Sequence, residues 1–113
     1  MAGPTLDREI VQELQSVMGS EFRTLVESFE RDSRQRLQTL EEAVDRAAAD
    51  EVRQTAHSFK GSSGNLGALE LSQLCLELEQ AGRSGDLEPA PELLQRIREA
   101  FERARRELEQ LLE

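Results

Sequence analysis

His57 and Lys60 are the only histidine and the only lysine in the 113 residues. They stand three apart in the stretch AHSFKGSSGNLGA, residues 56–68, a spacing that puts both on one face of a helix, one turn from each other. Every other cation is an arginine. An imidazole with an ordinary pKa of ~6.5 is a competent nucleophile at neutral pH. Phosphorylating it creates a dianion, for which an ammonium one turn away is a ready partner. The other reactive residue types offer less. Cys75 is the single cysteine and sits in the apolar run LSQLCLEL, so no disulfide can form within the chain. One Cys and one His do not by themselves build a zinc or haem site. There is no GxxxxGK[ST] phosphate loop and no carboxylate cluster placed for Mg2+. The residues can carry a phosphoryl group, but nothing in them takes one from ATP.

The elements that must position this pair are helical. Leu, Ala, Glu, Arg and Gln dominate, and the aromatics are four phenylalanines, a mixture that favours helix over strand. Pro4 and Thr5 open a short first helix with Thr5 as its N-cap, Asp7 and Glu9 in its first turn, and Leu6, Ile10, Leu14 and Val17 at helical spacing. Gly19 ends it, and Ser20 caps a second helix from about Glu21 to Ala47, in which Ser33 and Arg36 interrupt an apolar stripe. Asp50 caps the third helix, which carries the key stretch to about Leu66 before Gly67 stops it. The fourth runs from Ala68 to about Ala81, GRSGDLEPAP (residues 82–91) reads as a loop, and Leu94, Ile97, Phe101, Ala104, Leu108 and Leu111 mark the last helix. One domain over residues 1–113 is expected, with a single core.

At 100° per residue the third helix divides cleanly. Val52, Ala56, Phe59, Ser63 and Leu66 form the core side, whereas Arg53, His57, Lys60, Gly61 and Gly64 lie opposite. His57 therefore points outward, as an ordinary solvated histidine also would. Gly61 and Gly64 would each cost ~1 kcal/mol in a helix interior, and on this face they clear space beside the imidazole for something bulky. The competing reading ends the helix early and makes these glycines a loop.

The formal net charge of −9 argues against nucleic acid, which needs a basic face. No apolar stretch approaches the ~20 residues of a membrane span, and MAGPTLDREI has the marks of no secretion signal, so a cytoplasmic protein with no membrane partner is expected.

AHSFKGSSGNLGA resembles the signature of histidine-containing phosphotransfer domains, H-x-[L/F]-K-G-[S/A]-[S/A]-x-x-[L/V]-G, which is met at His57, Phe59, Lys60, Gly61, Ser62, Ser63, Leu66 and Gly67. The similarity continues through LELEQAGRSGDL. The resemblance implies an all-α, up-down four-helix bundle with a short N-terminal covering helix. It implies a stand-alone bacterial phosphocarrier, with no kinase or phosphatase activity of its own, that binds no cofactor. His57 would take a phosphoryl group from the receiver-domain aspartate of a hybrid sensor kinase and pass it to the aspartate of a response regulator, with Mg2+ held in the receiver. Lys60 would stabilise the phosphate and Gly61 would give steric access. Glu79 matches a position where relatives accept a hydrogen bond from the second imidazole nitrogen, and an ordinary solvated acid is the competing reading. Arg83 matches a position that is basic in some relatives. Ser62 would bond either to helix carbonyls or to the phosphate. An apolar docking patch near the site, including Met18, and a monomer are also expected. The rival function is a helical adaptor that binds a partner helix through the last segment, with His57 incidental.

Overall fold

The structure, a computed structural model, describes residues 5–112. They form α1 (Arg8–Met18), α2 (Glu21–Asp45), α3 (Ala49–Asn65), α4 (Leu69–Ser84) and α5 (Ala90–Leu111), with no strand among the described residues. α2 packs on α3 and α5, and α4 packs on the same two, so the four long helices close a ring. Their connections are short, which makes neighbours antiparallel. The expected four-helix bundle with a covering helix is what the chain builds.

The bundle is closed by the residues that the helical stripes point inward. Phe22, Val26, Phe29 and Leu40 of α2 meet Val52, Ala56 and Phe59 of α3, Leu71, Cys75 and Leu78 of α4, and Ile97, Phe101 and Leu108 of α5, all buried. Each such large side chain contributes ~1.5–3 kcal/mol on burial. Phe29 and Phe101 lie 6.0 Å apart in a tilted pair. The apolar residues of α5 from Leu94 to Leu108 are thus spent inside the bundle, which leaves no seam on α5 for a partner helix. Ser33 does not break the α2 stripe: it is fully buried within it. Arg36 is half-buried and reaches the Ser62 hydroxyl at 3.3 Å.

Several helix ends differ from the sequence expectation. Asp7, not Thr5, caps α1, its carboxylate accepting from the Glu9 and Ile10 amides at 3.0 and 3.3 Å; Pro4 lies outside the described residues. Ser20 makes no side-chain cap bond. α3 begins at Ala49, so Asp50 falls in its first turn, where its carboxylate suits the dipole and binds Arg53 and Gln54. α4 runs on through Gly82 and Arg83 to Ser84, and Gly85 in the left-handed region (φ +81) ends it. Tertiary packing overrides the glycine signal there. The loop shrinks to residues 85–89, and Pro91 lies in the first turn of α5, where a missing amide hydrogen costs nothing.

α1 is tied to the site-bearing helices at one point. The Asp7 amide donates to the Gly67 carbonyl at 2.7 Å, and Gly67 itself has φ +81. A Cβ on Gly67 would also stand 3.2 Å from the Asp7 carbonyl oxygen. Only glycine satisfies both demands.

Candidate functional site

The core side of the α3 wheel holds, and of the residues opposite it His57 and Gly61 are exposed while Arg53, Lys60 and Gly64 are half-buried along α4. Val52, Ala56, Phe59, Ser63 and Leu66 are buried, and α3 is helical through both Gly61 and Gly64, so neither glycine marks a loop. His57 stands at mid-helix with its side chain 65 % exposed.

Across the α3–α4 seam lies Glu79, whose side chain is only 3 % exposed. Its Oε2 is 2.9 Å from His57 Nδ1 and 3.2 Å from Arg83 Nη2, and its Oε1 is 2.7 Å from Lys60 Nζ. Pairing with Lys60, first, and the hydrogen bond with His57 hold the Glu79 carboxyl below its ordinary value, against desolvation, which pushes it up. An ionised carboxylate can only accept, so the proton of a neutral imidazole sits on Nδ1. The lone pair is then on Nε2, which has no hydrogen-bond partner among the described residues. The ring is an oriented nucleophile with its reactive nitrogen turned away from the bundle.

This contact depends on how closely the two helices approach. A Cβ on Gly82 would lie 2.7 Å from the Arg53 amide nitrogen and 2.8 Å from the Ala49 carbonyl oxygen. Gly82 lies one turn beyond Glu79, and Arg53 one turn before His57, so the backbones touch next to the carboxylate's reach. Gly82 is therefore helical rather than part of the expected loop; standing three residues before the left-handed Gly85 in a Gly- and Pro-rich run, it carries no sequence signal of a backbone contact with α3.

The other candidates divide. A Cβ at Gly61 would meet nothing within 4 Å, consistent with cleared space one turn from the ring. Gly64 corrects the expectation: its Cβ position is 3.3 Å from Ser72 Oγ, so it accommodates α4 rather than a visitor. Ser72 Oγ in turn donates to the Lys60 carbonyl at 3.1 Å. Ser62 Oγ donates to the Phe59 carbonyl at 3.2 Å and accepts from Arg36, the local-bond alternative. Met18 joins Leu14, Leu25, Phe29 and Leu66 around an apolar groove of about 330 Å³ whose edge includes Ser62. Glu79 is no solvated acid, and Arg83 touches it directly. Cys75 is buried, and desolvation pushes its thiol up to about 12, which makes it inert. Among the described residues no group of three His, Cys, Asp or Glu is arranged to hold a metal ion, and no helix is long and apolar enough to cross a membrane.

The helical bundle has counterparts among known proteins. The model of the Hpt domain matches residues 24–111. The crystal structure of histidine-containing phosphotransfer protein B (HptB) from Pseudomonas aeruginosa PAO1 is similar over 96 % of this chain and 95 % of that one, with 39 % identity and a TM-score of 0.93. No curated protein matches the chain. With the family model spanning most of the bundle, α3 and α4 included, the chain belongs to the Hpt-domain family, the histidine phosphotransfer proteins of two-component phosphorelays.

Proposed function

We propose that His57 is the phospho-acceptor of a relay between two receiver domains. The observation that carries this reading is the His57 Nδ1–Glu79 contact at 2.9 Å, which leaves Nε2 as the free nucleophile on an exposed face. The Nε2 lone pair attacks the phosphorus of a receiver's aspartyl phosphate. The N–P bond forms as the P–O bond breaks, the electron pair leaves on the aspartate carboxylate, and the Nδ1 proton stays where it is. The ring becomes a phosphoimidazolium whose charge faces Glu79. Onward transfer to a response-regulator aspartate is the reverse step, so no proton need move in either direction. A hydrogen bond to an ionised partner is worth ~1.5–3 kcal/mol, enough to bias both the tautomer and the ring orientation.

The remaining residues serve access and charge. Gly61 lets the receiver close over the ring. Lys60 and Arg83 supply positive charge beside it. The groove of Leu14, Met18, Leu25, Phe29 and Leu66 offers the receiver an apolar surface next to α3. Mg2+ belongs to the receiver's acidic pocket. In this reading the chain is a cytoplasmic, monomeric carrier with no kinase or phosphatase activity of its own.

Transfer from a labelled, phosphorylated receiver domain tests this. Wild type should take up the label in the presence of Mg2+ and release it to a second receiver. His57→Gln should take up none while keeping its helicity, and Gly61→Gln should be folded but slow. Normal uptake by His57→Gln would refute the assignment, and normal transfer by Gly61→Gln would refute the access argument.

A further inference from the structure

Three cationic or donor groups converge on one buried carboxylate, and they are not held alike. Lys60 sits alone on Glu79 Oε1 at 2.7 Å, with its side chain 28 % exposed. Arg83 shares Oε2 with the imidazole, at the longer distance of 3.2 Å, and its side chain is 66 % exposed. The third cation of this face, Arg53, is already taken by Asp50 at 2.8 Å.

We infer that phosphorylation of His57 exchanges counter-ions at Glu79: Arg83 leaves Oε2 for the new phosphoryl group, while Lys60 remains on Oε1 as a positioning residue for the carboxylate. This rests on the relay reading above. When the N–P bond forms at Nε2 and the aspartate carboxylate departs with its electron pair, Nδ1 keeps its proton and the ring gains a positive charge. The His57–Oε2 contact then becomes a cation–carboxylate pair, and Arg83 on the same oxygen is redundant. At the same moment a dianionic phosphoryl group appears on the exposed side of the ring, where Arg83 is free to turn. Departure of Lys60 would instead strip Oε1 of its one cation and leave a buried charge half-compensated, which is strongly unfavourable. The Glu79 carboxyl is held down by Lys60 before any other group, in keeping with that division. Lys60 thus acts on the phosphoryl group through Glu79 and the ring, although the family resemblance assigns it to the phosphate itself.

The single lysine makes the test direct. The chain, labelled with 15N-lysine, is phosphorylated with phosphoramidate, which needs no receiver, and the Lys60 Nζ signal is recorded before and after. Unphosphorylated Glu79→Gln supplies the reference for a lysine released from its carboxylate. The half-life of the phosphohistidine is followed by 31P spectra in wild type and Arg83→Gln. Expected are a Lys60 signal that stays near its resting position and a half-life shortened roughly two- to five-fold in Arg83→Gln, the range of an exposed ion pair. A Lys60 signal that moves as far as in Glu79→Gln would overturn the exchange. So would an Arg83→Gln half-life equal to that of wild type. If His57 is labelled neither by phosphoramidate nor by a phosphorylated receiver domain with Mg2+, the relay reading itself falls, and the exchange falls with it.

Discussion

Gly82→Ala and Gly61→Ala make the same chemical change within a helix and should shift stability in opposite directions. At Gly82 a Cβ would be 2.7 Å from the Arg53 amide nitrogen, 2.8 Å from the Ala49 carbonyl oxygen and 3.0 Å from Arg53 Cα. All three are backbone atoms, so no rotamer change relieves the contact and α4 must back away from α3. Recovering ordinary contact at ~3.5 Å requires a displacement of roughly 0.7 Å. Overpacking costs ~1–3 kcal/mol, and a clash with backbone belongs in the upper part of that range; the better helix propensity of Ala returns ~1 kcal/mol. The net loss is about 1–2 kcal/mol. At Gly61 a Cβ meets nothing within 4 Å, so only propensity acts and a gain of up to ~1 kcal/mol is expected. Glu79 moves with α4, so Gly82→Ala also lengthens its 2.9 Å contact to His57 and its 2.7 Å contact to Lys60. Urea midpoints at constant m measure the first effect, and 15N ring spectra of the single histidine measure the second. A Gly82→Ala protein at least as stable as wild type, with an unchanged His57 spectrum, would refute the close-approach reasoning.

Two further outcomes follow from the titrating groups. Glu79 has its folded carboxyl held below the ordinary glutamate value of 4.5, so its ionised form adds stability above that pH, and the gain is lost as pH falls through the lower folded value. Urea midpoints of wild type should therefore drop more steeply below pH 4.5 than those of Glu79→Gln, and parallel acid limbs would contradict this. Cys75, buried and pushed up to about 12, should react with a thiol reagent only as fast as the whole bundle opens. Rapid labelling of the native protein would show that α4 opens locally instead.

Much of this was legible because helix periodicity is a local property. The α3 stripe from Val52 to Leu66 needed only the 100° rule to place His57 outward, and the family resemblance pointed to Glu79 across the seam. What stayed hidden depends on the neighbouring helix. Gly61 and Gly64 sit on one face of α3 and look alike in sequence, yet one faces open space and the other Ser72, because α4 crosses only the second. Gly82 reads as a helix stop, but its contact with the α3 backbone keeps it helical. Ser33 looks like a break in the α2 stripe and is fully buried, a consequence of where α2 meets its neighbours. Asp7 and Thr5 are both good caps; the bond from the Asp7 amide to the Gly67 carbonyl, sixty residues away in sequence, accompanies the choice of Asp7.

The nitrogen that carries the phosphoryl group decides the central claim. Phosphorylated protein labelled with 15N-histidine has one imidazole to assign, and its N–P coupling identifies the attachment atom. Attachment at Nε2, with Nδ1 still protonated and hydrogen-bonded, is the result required if Glu79 orients the nucleophile. Attachment at Nδ1 would mean that the Glu79 contact is broken for the chemistry, and the mechanism built on it would be wrong.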